Sequence, residues 1–142
     1  MLRWIVVFGL LAACGNASAP APSGAPSEGA LDARKTRDVF RGVIAELRDD
    51  IVAHRLAAAY ARLAPETQAR LSQDAFAVVA NNPVFASGVA FHIDGGTIAH
   101  GTAKMTGWLA GPSGRATLEL RCTAVAGAWR ISGLRVDGAA LL

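Results

Sequence analysis

The sequence predicts an α+β domain, with helices first and an antiparallel sheet after them. Three observations carry that reading. From Leu31 to Ala80, apolar residues recur at spacings of three and four, the period of a helix lying on a core. After Val84 the period falls to two, with apolar and polar residues alternating through several stretches. Between those stretches stand short turns rich in Gly, Asp and Pro, the chemistry that joins neighbouring antiparallel strands. At 142 residues, the chain has room for one such domain and no second.

The elements follow in order. Val39, Phe40, Val43, Ile44, Leu47 and Ile51 make the apolar stripe of a first helix, which Asp32 or Thr36 can cap. Arg34, Arg37, Arg41 and Arg48 fall within a narrow strip beside it. A second helix turns Leu56, Tyr60 and Leu63 inward, and Pro65 opens a short continuation, PETQARL. Ser72 caps a third helix, QDAFAVVA, with Asp74 favourable near its positive end; Asn81-Asn82-Pro83 stops it.

The expected sheet has roughly four strands. GVAFHID is expected to pair with TIAHGTAKMTGWL across Asp94-Gly95-Gly96, because Asp-Gly is a strong hairpin signal. Gly111 to Gly114 turns into a strand whose Ala116, Leu118, Leu120 and Cys122 share the core face. A two-residue loop at Ala126-Gly127 would then pair Cys122 with Ile131 and Ala124 with Trp129. Gly133 marks a bulge that returns Leu134 and Val136 to the core face.

Residues 1–13 carry a different signal. Arg3 precedes the apolar run Trp4 to Leu11, which is shorter than the ~20 residues a bilayer span needs and has the size of a secretory h-region. Gly15 to Ala30 contains only Gly, Pro, Ser, Ala, Asn and Glu, and so reads as a tether with nothing to bury. Leu11-Ala12-Ala13-Cys14 resembles the lipobox of bacterial lipoproteins. That resemblance implies cleavage before Cys14, lipidation of its thiol and a place on a membrane of the cell envelope, at its periplasmic or extracellular face. More than one acyl chain is needed for stable anchoring. The chain thus divides into a signal peptide (1–13), a lipidated cysteine with its linker (14–30) and a domain (31–142).

Beyond the tether, AAAYARLAPETQARLSQDAF followed by NNP, with hairpins ending in AWRISGLRV, resembles exported domains of the nuclear-transport-factor-2-like (cystatin-like) superfamily. The resemblance runs from about Val39 to Val136. It implies helices packed on a strongly curved sheet, a cone able to enclose a pocket, here lined by Phe40, Tyr60, Phe76, Phe91 and Met105. Such domains include accessory and interaction modules as well as isomerase and dehydratase enzymes, and relatives often pair through the sheet, which makes a homodimer one arrangement the resemblance allows, with no interface identified in the sequence.

An enzyme would need converging ionisable groups, and the candidates are His54, His92, His100, Asp94, Tyr60 and Cys122. His92 and Asp94 share a strand face and could act as a base with an orienting carboxylate. However, Val89, Phe91 and Ile93 claim the inward face, which turns His92 outward and leaves Asp94 to the turn. No catalytic residue is assigned. A two-residue loop would set His92 and His100 on opposite faces, and no third ligand stands at a zinc-like spacing, so neither metal nor cofactor is expected. His54 reads as a solvated or capping residue between helices. Tyr60 reads as core with a hydroxyl needing a partner. Cys122 reads as a small buried hydrophobe with no disulfide partner once Cys14 is acylated.

Net charge is +3, and removing residues 1–13 with Arg3 leaves +2, too mild an excess to imply nucleic acid. The Arg34, Arg37, Arg41 and Arg48 strip is the best surface feature. It suits anionic head groups or an acidic partner, or else forms a solvated helix face partly neutralised by Asp38 and Asp49. The expected function is a lipid-anchored, non-catalytic scaffold or binding module with an unknown envelope partner. A small-ligand binder using the cone interior is the alternative, and an isomerase or dehydratase a more distant one.

Overall fold

The computed structural model describes residues 28–142. The expected signal peptide, the expected lipidation site Cys14 and most of the expected tether therefore lie outside the described residues. The fold is α+β: helices, then an open antiparallel sheet. Among the described residues, no helix is long and apolar enough to cross a membrane.

Helix α1, Glu28–Val52, begins three residues ahead of Leu31, within the stretch read as tether. Phe40, Ile44, Leu47 and Ile51, at steps of four, three and four, are buried in one line. Burying each contributes on the order of 1.5–3 kcal/mol. Val39 does not belong to that stripe: it stands 50% exposed, because the helix turns it off the core face. The helix ends in a Schellman motif. The amide of His54 donates to the Ile51 carbonyl and that of Arg55 to the Asp50 carbonyl, at 3.0 and 2.8 Å. His54 takes the left-handed conformation (φ 57°) that this cap demands.

Helix α2, Leu56–Ala61, and helix α3, Pro65–Arg70, follow, the second opened by Pro65 as its sequence suggests. Helix α4, Gln73–Ala80, starts where the Ser72 hydroxyl accepts the Ala75 amide at 3.2 Å. Asn82 then caps a 3-10 turn, Pro83–Phe85, its side chain accepting from the Val84 amide.

Strands β1 (Ala90–Ala99), β2 (Thr102–Gly111), β3 (Gly114–Val125), β4 (Ala128–Val136) and β5 (Ala139–Ala140) form a sheet in simple sequential order. There are five strands, not four; the last is a two-residue strand paired with Arg135 and Val136. The expected hairpin at Asp94-Gly95-Gly96 is not a turn. Strand β1 runs straight through it, with Asp94 bulged between Ile93↔Gly107 and Gly95↔Thr106. The reversal comes at His100-Gly101, whose φ values of 51° and 74° meet the requirement of a type I′ turn. The β3–β4 register is as expected: Cys122 faces Ile131 and Ala124 faces Trp129, with the bulge at Ser132 beside Gly133.

The helices cover one sheet face. Phe91, Met105, Leu118, Leu120, Cys122 and Ile131 meet the apolar stripe of α1, Leu63 and Phe76 in one continuous core. The helical half also meets the sheet along the outer side of β4 and at two points beside the edge strand β1. The chain at Arg62–Ala64 pairs in parallel with β4: the Ile131 amide donates to the Arg62 carbonyl at 3.0 Å, and the Ala64 amide to the Ile131 carbonyl at 2.8 Å. On the opposite edge, arginines of α1 reach carbonyls of β1 and of Val89 just before it.

Candidate functional site

Chemistry-bearing side chains collect outside the core, between α1 and the free edge of β1. Because the arginines of α1 recur at helical spacing, Arg34, Arg37 and Arg41 stand on one wall of this cleft. The other wall is set by strand pairing. His92 and Trp108 are direct partners on the outward sheet face, and their rings stack with centroids 3.7 Å apart and planes 11° from parallel. From β3, the Arg115 guanidinium stands 3.7 Å from the Trp108 ring, so the indole is flanked by an imidazole and a cation. The cleft has a volume of about 340 Å³, and Asp38, Ile93 and Asp94 complete its lining.

The four arginines of the strip part company here. Arg48 turns inward: it donates to the Val89 carbonyl, pairs with Asp49 and lies 5.7 Å from the Phe91 ring centroid. It is therefore a structural tie and not an open contact residue. Arg37 is half-buried and donates to the Asp94 carbonyl at 3.4 Å. Arg41 makes a 3.0 Å pair with Asp38, both side chains more than half exposed, a pairing of little net strength. Arg34 is exposed on the first turns of the helix.

The interior is packed. Phe40, Phe76, Phe91 and Met105 are at most 4% exposed and belong to the continuous core, and the Tyr60 ring leans on Phe76 at 5.8 Å. The Tyr60 hydroxyl has the partners it requires: it donates toward the carbonyls of Leu71 and Gln68, at 2.9 and 3.1 Å. Four of these five side chains belong to the core between helices and sheet, and Tyr60 packs against it.

His92 points away from that core, as the alternation of Val89, Phe91 and Ile93 requires, and the indole orients it. Asp94 serves a bulge in place of the expected turn. His54 and His100 both occupy left-handed turn positions. No group of three or more His, Cys, Asp or Glu among the described residues is arranged to hold a metal ion. Cys122 is buried, and loss of hydration pushes its thiol up to about 12, far from a nucleophile's range.

Sequence reasoning missed two constellations. The His92–Trp108–Arg115 stack becomes visible only once the reversal is placed at His100-Gly101 and the bulge at Asp94 shifts the β1–β2 register by one further residue. The second joins α1 to α2. Asp50, only 3% exposed, accepts from Arg55 (Nε 2.9 Å, Nη2 2.6 Å) and from Arg62, which also meets Glu46. Hydrogen bonds from Arg62 and then Arg55 hold the Asp50 carboxyl below the usual carboxylate range despite its burial. A second groove, of about 580 Å³, lies beside Val39, Val43 and Trp129.

No protein-family model, curated protein or solved structure matches this chain.

Proposed function

We propose that the chain is a bacterial lipoprotein, held at a membrane of the cell envelope through a lipidated Cys14, whose nuclear-transport-factor-2-like domain acts as a non-catalytic binding module. The observation that carries this reading is the distribution of chemistry. Three guanidiniums, an imidazole and an indole gather at the α1–β1 cleft, while the space between helices and sheet is filled by Phe40, Phe76, Phe91 and Met105. An isomerase or dehydratase would need its base inside, and His92 faces outward. The order of long helix, short helices and antiparallel meander supports the superfamily, whose curved, cone-like sheet is part of the same proposal.

Mass spectrometry of the protein extracted gently from its own envelope tests the reading. Acyl mass on a chain beginning at Cys14, with release into the soluble fraction by Cys14→Ser, is the expected result. A chain cut elsewhere with an unmodified thiol would overturn the anchor. A small molecule retained equally by the wild type and an Arg34→Ala, Arg41→Ala variant would move the binding site away from the cleft.

A further inference from the structure

We propose that the α1–β1 cleft takes the phosphate groups of anionic lipid head groups, so that the domain lies against the leaflet from which it is tethered. This inference rests on the lipid-anchored reading above. Position is the first argument. Arg34, Arg37 and Arg41 lie within the first four turns of α1, about 9–20 Å from its start at ~1.5 Å per residue. Thirteen residues lie between Cys14 and Glu28, a span of roughly 43 Å as polyproline II at ~3.1 Å per residue. The tether thus lets the cleft reach any surface that holds Cys14.

Chemistry is the second argument. A guanidinium presents paired N–H donors that match phosphate oxygens, and three line this cleft. The exposed Arg41–Asp38 pair opens to a phosphate at little cost. The rim is amphipathic. Trp108 brings an indole, a ring suited to the head-group region, and Ile98 stands 49% exposed beside an apolar recess with Ala33 and Met105. An acidic protein partner could use the same arginines, but on the lipid-anchored reading anionic head groups are present wherever Cys14 is held, within reach of the cleft.

The experiment uses the chain from residue 14 onward with Cys14→Ser, which retains every core residue. It is sedimented with vesicles of phosphatidylcholine alone or mixed with phosphatidylglycerol. Binding to the mixed vesicles only, weakened by salt, is expected. Arg34→Ala with Arg41→Ala should lower affinity roughly 30-fold, about fivefold per arginine. The Lys substitutions keep the charge but not the paired donors and should restore only part of it, and Trp108→Phe should abolish a vesicle-induced blue shift of the emission. Equal binding to both vesicle types, no vesicle binding, or indifference to the arginine changes would each overturn the inference. Binding of soluble glycerol phosphate with vesicles ignored would assign the cleft to a free ligand instead. Acyl mass on Cys14 with no vesicle binding leaves the anchor standing and removes only the cleft assignment; an unmodified Cys14 removes both.

Discussion

Replacing Asp50 by Asn tests the ion network that joins α1 to α2. The substitution keeps the shape of the side chain and removes its charge. In the native domain both carboxylate oxygens are used, Oδ1 by Arg55 and Oδ2 by Arg62. An amide can keep one acceptor and must turn an NH2 group toward the other guanidinium. A buried hydrogen bond to a charged group is worth ~1.5–3 kcal/mol. The Arg62 bond belongs in that range, because Arg62 is one-third exposed and Asp50 nearly enclosed. The Arg55 side chain is 60% exposed, so its bond counts as a surface pair worth roughly 0.5 kcal/mol. The expected loss is about 2–3 kcal/mol, or roughly 10 °C in Tm for a domain of this size. Urea unfolding followed by circular dichroism measures it.

The same network fixes a pH dependence. The native carboxyl titrates below its unfolded value of 3.8, so its contribution is fully present above that value and fades as pH falls through the lower native one. The gap between wild type and Asp50→Asn should therefore be constant from about pH 5 to 8 and narrow only in stronger acid. A loss under about 0.5 kcal/mol at neutral pH, or a gap that widens on acidification, would refute the reasoning.

Three other outcomes follow from single residues. Gly107→Ala should leave little folded protein in a thermal melt, since a Cβ there would collide with the His92 carbonyl group of the paired strand. In a Cys14→Ser background, Cys122 should resist a thiol reagent at pH 8 in the native state and react at once in denaturant, because burial holds the thiol protonated. Ser72→Ala should cost about 1 kcal/mol through loss of the α4 cap, read from the urea midpoint.

Much of this fold is legible in the sequence where one local rule acts alone. The steps from Phe40 to Ile51, the Ser72 cap and Pro65 at a helix start all agree with the structure. The β3–β4 register was also readable, because Gly127 marks a turn there and a two-residue loop, Ala126-Gly127, admits only one pairing; Ala126 accepts a left-handed conformation (φ 50°) in it. The β1–β2 hairpin was not, because two rules competed. Asp94-Gly95 offers good turn chemistry, but a turn there would forfeit the pairing of Gly96 to Ala99 with β2. The longer ladder prevailed, with His100 accepting a left-handed conformation at a cost of roughly 1 kcal/mol. A second Asp-Gly, Asp137-Gly138, which the reading of the sequence did not use, forms a turn with two positive φ values and launches β5, which is too short to show a period.

The cleft was half legible. Helical spacing placed Arg34, Arg37 and Arg41 together, but nothing local links them to a histidine and a tryptophan more than fifty residues later. Arg48 obeys the same spacing and yet leaves the group, because the Val89 carbonyl lies within its reach. Asp50 and Arg62 illustrate the same limit, since a long-range ion pair has no period to betray it.

The parallel bridge between Leu63 and Ile131 has a kinetic consequence. Each hairpin of the meander closes a short loop, so the strands can zip in succession from local encounters. The bridge instead closes a span of 68 residues, about 1.7 kcal/mol dearer in chain entropy than closing ten. It needs β4 already in register and the α2–α3 segment already bent. It therefore forms late, and the Ala64 and Ile131 amides become clocks for the whole molecule: deuterium should enter them only when the helical half and the sheet come apart.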